Sequence, residues 1–392
     1  MKMLFRDIKK HLLTIDWFLV ICVMAAMVFG FLAVKSATNI FRFRPDLGNQ
    51  TRSLAVQAAA IFIGIICAAV LSKSDYMQIL KYWKYFYIFS VALLIAVSIF
   101  GIGASEVGNN SWFRIGPVGI QPSEIVKIAF IVTIANHLDK RRENINHPVN
   151  IIILCLYLLI PFSLILSAGD LGNGLIYICI FLGMCFSAGV SLWYFLGAAF
   201  IITALSPILW NWELLFPEYR KIRILAGFDP MIDPMDKGYQ ALRSRFAIGS
   251  GGLFGHGYQQ GPITQGLRPR VPEQQTDFIF SAIGEEFGFV GAVLALLILT
   301  LIIVRIFIIS KNARNNSGSL ICVGVMSMFI AQTIENIGMC LGRLPVIGVT
   351  LPFFSYGGSS ILSSLLGIGI VLSVNSRKKI YYFTRDENLD KY

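Results

Sequence analysis

Charge is what this sequence has least of. Only 14% of its 392 residues are Asp, Glu, Lys or Arg, against 56% hydrophobic and a mean hydropathy of +0.69. A water-soluble protein of this length needs far more polar surface over its core, so that class is excluded. Histidine is scarcer still, and the four scattered residues offer no metal-ligand spacing. Seven cysteines are present, but none forms a CxxC pair and the number is odd. That disfavours a disulfide framework or a thiolate metal site and leaves small apolar packing residues. No low-complexity tract interrupts the chain. No small-residue cleavage site follows the first apolar stretch, which reads as a retained helix.

What is there instead is a series of apolar runs. They fall at roughly 15–35, 53–72, 85–102, 121–137, 149–168, 171–189, 192–212, 278–304, 319–341 and 356–375 when scanned with a window of about 19 residues. Most are long enough for a ~30 Å hydrocarbon layer. The expected fold is an all-α integral membrane protein with about ten transmembrane helices, a single polytopic domain over 1–392. Tight turns should join the spans near 168–171 and 189–192.

Short loops set the orientation. Lys2, Arg6, Lys9 and Lys10, then Lys73, Lys81 and Lys84, then Lys140, Arg141 and Arg142 fall on one side. Arg305, Lys311, Arg314 and the basic tail from Arg377 join them. The positive-inside rule makes that side, and both termini, cytoplasmic. The opposite side is not poor in cations. It carries Lys35, Arg42, Arg44, Arg52, Arg114 and Arg343, and more lie in the long extracellular loop 213–277 between the seventh and eighth helices. The aromatic and apolar content of that loop suggests that it packs back on the helices. Its cations point either to an anionic ligand or to pairing with the loop's own acids.

Four outer stretches carry candidate chemistry. In "GNNSWFRIGPVGIQPSEIVK" (108–127), Pro122 and Glu124 fit the first turn of a helix. Lys127 can pair with Glu124 at i+3, yet ionisable groups at membrane depth are also functional candidates. Trp112 is either an interfacial belt residue or a ligand contact, with Arg114 beside it. In "ALRSRFAIGSGGLFGHG" (241–257), Arg243 and Arg245 precede clustered glycines. The spacing fits no dinucleotide or Walker motif, leaving a phosphate-binding nest or a re-entrant turn. In "PEQQTDFIFSAIGEEFGF" (272–289), Asp277 falls where a helix meets water, a boundary that could raise its pKa towards that of a useful base. Glu285 and Glu286 follow about two turns deeper, ~12 Å by helix rise, and are expected to pair with cations or backbone. In "GRLPVIGVTLPFFSYGGSS" (342–360), prolines and glycines mark irregular backbone at membrane depth, preceded by Gln332 and Asn336. No Ser-His-Asp arrangement emerges.

Together "QPSEIVK" (121–127), "AIGSGGLFGHG" (247–257), "PEQQTDFIFSAIGEEFGF" (272–289), "NIGM" (336–339) and "LPFFSYGGSS" (351–360) resemble the SEDS family (shape, elongation, division and sporulation), in order and spacing across nearly the whole chain. The short tails and "QQGPITQ" (259–265) look more RodA-like than FtsW-like. The resemblance implies a bundle in the bacterial cytoplasmic membrane that polymerises lipid II outside the cell, working with a class B penicillin-binding transpeptidase and with no nucleic acid. It makes Asp277 the essential acid, here expected to act as general base, and gives Trp112, Glu124 and Lys127 roles in activity. Arg243 and Arg245, with Lys127 or a divalent cation, are expected to hold the leaving pyrophosphate. No cofactor is otherwise required. Two departures stand out. "SAGDLG" (167–172) replaces the Gln-Pro that usually precedes Asp-Leu-Gly, weakening a role for Asp170, and Gln275 replaces a common His. A lipid II flippase and a non-catalytic scaffold of the elongation or division complex stay open as alternatives.

Overall fold

The structure is a computed structural model and describes residues 14–42, 48–102, 110–115, 118–212, 218–235, 238–266 and 271–377. Both termini, with their cations other than Arg377, lie outside these residues, as do Arg44, Lys237, Arg268 and Arg270. Ten long helices follow the expected apolar runs: α1 (Trp17–Ala37), α2 (Gln50–Lys73), α3 (Trp83–Phe100), α4 (Pro122–Lys140), α5 (Pro148–Ser167), α6 (Leu171–Ser187), α7 (Leu192–Asn211), α8 (Ile279–Lys311), α9 (Asn316–Cys340) and α10 (Gly358–Asn375). Eight are long and apolar enough to cross a membrane. Of the other two, α7 offers the shorter apolar stretch Leu192–Ile208, and α4 buries an ion pair. The chain is a multi-pass membrane protein.

The helix ends follow from local chemistry. Asp16, Asn49, Asp170 and Asn315 cap α1, α2, α6 and α9, each accepting a backbone N–H through its side chain. Proline occupies the first turn of α4 and α5, where no N–H is required. Gly169 and Gly189, both at positive φ, make the tight turns on either side of α6.

The centre of the bundle is α9 and α10, whose membrane windows are 72% and 83% buried, whereas α2 and α3 are each 17% buried and face outward. Small residues allow close contact between helices. A β-carbon added to Gly369 of α10 would lie 2.7 Å from Ala68 Cα of α2. At one end of the bundle Arg305 of α8 grips Asp16 at 2.8–3.0 Å, fixing the start of α1 beside it.

Two features depart from the simple bundle. A short antiparallel hairpin, β1 (Phe113–Ile115) and β2 (Val118–Ile120), sits between α3 and α4. Second, α8 is discontinuous. Gly288 takes φ 66 and ψ −162, so Ile279–Phe287 and Phe289–Lys311 are separate helical pieces. The glycine-rich loop satisfies the broken ladder: His256 and Gly257 donate to the carbonyls of Glu285 and Glu286, while Phe289 and Val290 donate to those of Gly252 and Leu253, all at 2.9–3.1 Å. An unsatisfied N–H here would cost several kcal/mol. The start of α8 and the turn before it join the ends of two helices. Glu286 bonds Ser36 at the end of α1, and Asp277 bonds Asn336 near the end of α9.

The loop between α7 and α8 contains helices Glu218–Phe228 and Tyr239–Ser250. The second packs on the bundle through Ser244, whose hydroxyl lies 2.6 Å from Ser281 Oγ and from Cys340 O.

Candidate functional site

Asp277 is half-buried at the residue before the cap of α8. Its position is fixed through backbone. Asn336 donates from one amide to the carbonyls of both Asp277 and Val349, at 2.7 Å each. One side chain of α9 thus ties the acid to the irregular 342–357 loop. Tyr356 N donates to Gln275 O at 2.8 Å, and Gln274 Nε2 reaches Ala37 O at 2.8 Å and Thr264 O at 2.9 Å. The turn is therefore held from α1, from the α9–α10 loop and from the long α7–α8 loop. Glu273 and Phe353 adopt φ values of 50 and 66, a strained backbone that persists only where surroundings over-determine it.

Gly348 passes beside the carboxylate. It has φ +75, and a β-carbon there would lie 3.4 Å from Asp277 Oδ2. Gly348→Ala is accordingly expected to cost about 1–3 kcal/mol in local strain and to lower turnover more than substrate affinity. Steady-state kinetics and a thermal melt on the same preparation check this.

The second cluster is built on α4 and α6. Lys127 has no exposed surface and Glu124 only 5%. The ammonium lies 2.7 Å from Glu124 Oε1 and 3.1 Å from Asn173 Oδ1. Asp170 is the hub beside them. Its Oδ2 accepts from Gln121 Nε2 at 2.7 Å, Asn173 Nδ2 at 3.0 Å and Ser123 Oγ at 3.1 Å. Ser363 of α10 donates to Glu124 O at 2.6 Å, and Gln121 N donates to Ser359 Oγ at 2.9 Å. Glu124 Oε2 has no partner among the described residues. The i,i+3 pairing expected from the sequence is present, but Lys127 is locked inside the bundle and touches no open site. Its ammonium is turned to Glu124 and Asn173, not to the surface. Asp170, discounted for the residues preceding it, is the best-connected acid of the cluster. Its cap position at the tight turn before "DLGNG" is the signal that would have found it.

Other expected residues separate. Arg243 and Arg245 flank Ser244 on a helix, two positions apart, so their side chains leave about 200° from one another. The Arg243 guanidinium stacks over Tyr239 at 5.1 Å, whereas the stem of Arg245 lies against Gly342 at the start of the α9–α10 loop and its residue is exposed. The structure does not make them one clamp. Arg245→Ala is expected to raise KM for an anionic substrate about tenfold, consistent with loss of a charge-assisted contact. Arg243→Ala should change it by less than half as much, and substrate titration with each variant decides.

Trp112 is partly buried, its indole over Gly119 of β2 and its carbonyl bonded by Ile102 N at 2.9 Å. Arg114 lines an apolar cavity of about 440 Å3 with Leu93, Phe100, Ile102, Phe113, Ile120 and Pro122. A second cavity of about 390 Å3 runs between α2, α4, α10 and β2.

Glu285 and Glu286 accept hydrogen bonds from the α7–α8 loop and, for Glu286, from α1, and among the described residues neither forms an ion pair. Glu285 accepts from Ile263 N and Thr264 N at 2.7 Å each. Glu286 accepts from Ser36 Oγ at 2.6 Å, Gln265 Nε2 at 2.8 Å and Gln259 N at 3.1 Å. The anion nest read into the glycines is not available, because the N–H groups of Gly255, His256 and Gly257 already donate to backbone carbonyls. Among the described residues no group of three or more His, Cys, Asp or Glu side chains gathers as a metal site.

Comparison with known proteins extends these findings. The FtsW/RodA/SpoVE family, described as "Cell cycle protein", matches residues 16–380. The peptidoglycan glycosyltransferase MrdB of Escherichia coli K12 is 33% identical over 376 residues, covering 95% of each chain. Stage V sporulation protein E of Bacillus subtilis is 33% identical over 364 residues, covering 92% of this chain and 96% of its own. Among solved structures, a chain from a peptidoglycan synthase complex that coordinates polymerization and crosslinking superposes with a TM-score of 0.78 at 30% identity, over 93% of this chain and 98% of that one. The rod shape determining protein RodA of Thermus thermophilus superposes with a TM-score of 0.68 at 28% identity, over 93% and 98%.

Proposed function

Because the chain belongs to the FtsW/RodA/SpoVE family, known also as SEDS, we propose that it is a peptidoglycan glycosyltransferase. It extends glycan strands from lipid II at the outer face of the bacterial cytoplasmic membrane, in cell elongation. Both termini are then cytoplasmic, and the loop 213–277 is extracellular. The single observation that carries the reading is Asp277, half-exposed where helix tops meet and immobilised from three sides.

The chemistry needs no nucleotide, since the donor sugar arrives activated as a pyrophosphate. Asp277 takes the proton from the acceptor hydroxyl as that oxygen bonds the anomeric carbon, and the carbon–pyrophosphate bond breaks with inversion. Arg245 and Arg114 are the proposed contacts of the leaving anion. Trp112 and the apolar cavities beside the hairpin offer walls to the rest of the substrate. Glu124, Lys127 and Asp170 act indirectly by holding α4, α6 and the start of α10 together.

A transporter of the same lipid needs a polar route to the inner face. Beneath the Lys127 cluster the bundle is instead filled by Phe130, Ile131, Ile134, Met328 and Val371, all at most 2% exposed. This favours the enzyme. A class B penicillin-binding transpeptidase is the proposed partner, supported by the likeness to a chain from a synthase complex. The test is gel analysis of lipid II incubated with purified protein, with and without that partner. Polymer supports the reading, and its absence from a folded, verified complex overturns it.

A further inference from the structure

The glycine-rich loop is the motif that the chemistry above leaves unused. We propose that residues 252–254 form a wedge inserted in the membrane, with Leu253 and Phe254 presented to phospholipid acyl chains beside the break in α8.

Depth comes from the helix. Beyond Gly288, the uncharged stretch Phe289–Val304 is ~24 Å long by helix rise and ends at Arg305, so a ~30 Å hydrocarbon layer extends past its upper end. Phe289 therefore lies within the margin of that layer. Its N–H donates to Gly252 O at 2.9 Å, and that of Val290 to Leu253 O at 3.1 Å, which pins the tip of the loop at the same level.

The surface is apolar and continuous. Leu253 is 65% exposed and Phe254 79%, beside Phe289 at 63% and Val290 at 51%. The patch runs on into Val293 and Leu294, part of the exposed apolar face of the spanning helix. No acid, lysine or arginine occurs from Phe246 to Leu267. A partner protein would typically meet some charge at the rim of such a patch, whereas acyl chains require none. Lipid fits this surface better.

The backbone can survive there. Gly255, His256 and Gly257 donate to the carbonyls of Gly251, Glu285 and Glu286 at 2.7, 3.0 and 3.0 Å, the condition under which irregular chain is tolerated at membrane depth. The glycines serve this fit: a β-carbon on Gly288 would lie 2.6 Å from Leu253 C, and Gly252, Gly255 and Gly257 all have positive φ. Glu285 and Glu286 clamp the following residues 259–265 to α8, and Gln274 bonds Thr264 three residues before Asp277. The wedge thus sets the height of Asp277 against the membrane surface.

The experiment places tryptophan at Phe254 or Leu253 and, as a polar-loop control, at Gln260, and subtracts the emission of the parent protein with its six native tryptophans. Each variant goes into vesicles whose phospholipids carry bromine on the acyl chain. The difference emission of Phe254→Trp and Leu253→Trp should fall by about half or more, most strongly with bromine near the ester end, as for an interfacial insertion. Acrylamide in the water should leave it unchanged, and Gln260→Trp should behave in the opposite way. Quenching of both wedge probes by acrylamide, with no effect of bromine, would overturn the proposal and assign the patch to a protein partner. This outcome does not depend on whether the chain polymerises lipid II.

Discussion

Asp277→Asn is expected to slow polymerisation of lipid II by about 10²–10⁴-fold, the range lost with a general base, while the protein still inserts and melts as wild type. Asn is close to Asp in size and leaves the contacts that hold the turn, Asn336 to the Asp277 carbonyl, Tyr356 to Gln275 O and Gln274 to Ala37 O and Thr264 O, unaffected, because none uses the Asp277 side chain. Only the negative charge is lost, so the base is removed while these contacts stay. The assay compares wild type, Asp277→Asn and Asp277→Ala in the same complex. Wild-type rates in the Asn variant would remove Asp277 from the mechanism. A fall confined to Ala would mean that side-chain size, not proton transfer, matters there.

Lys127→Met should act by a different route. The ammonium is the charge facing Glu124 at 2.7 Å in a site with no water access, and Asp170 shares the same hydrogen-bond network through Asn173. Removing one partner of a buried pair leaves an uncompensated charge and costs about 3–5 kcal/mol. The variant should therefore unfold at a clearly lower temperature and accumulate poorly. Adding Glu124→Gln should restore most of that stability, since the orphaned acid is then neutral. Thermal unfolding in detergent of the two single variants and the double variant checks the cycle. If Lys127→Met kept the wild-type transition and lost only activity, the lysine would be a substrate contact, reached by some opening of the cluster.

These two residues show how unevenly the site could be read. Asp277 lies in a motif, at the junction of a polar loop and an apolar run, and both signals are local. The Glu124–Lys127 pair is local too, since i,i+3 on one helix face brings the ends together. Whether that pair faces a ligand or the interior is not local. Asn173 and Asp170 arrive from another helix, across a turn, and their contacts turned an expected binding lysine into a buried one. For the arginines a legible signal was missed: spacing of two on a helix already separates Arg243 from Arg245.

The sequence by itself determined the membrane class, the ten helices along its apolar runs, the proline start of α4, and the tight turns around α6. Each of these follows from hydropathy over one turn of chain or more, or from the conformational limits of single residues. Tertiary structure alone decided the break in α8. A helix opens at Gly288 only because N–H and C=O groups of residues 252–257, some thirty positions away in the chain, close the ladder again. It also decided the work of Glu285 and Glu286, which no local pattern distinguishes from misplaced charges. They are tolerated because the backbone of the loop they hold supplies the hydrogen bonds that water would otherwise give.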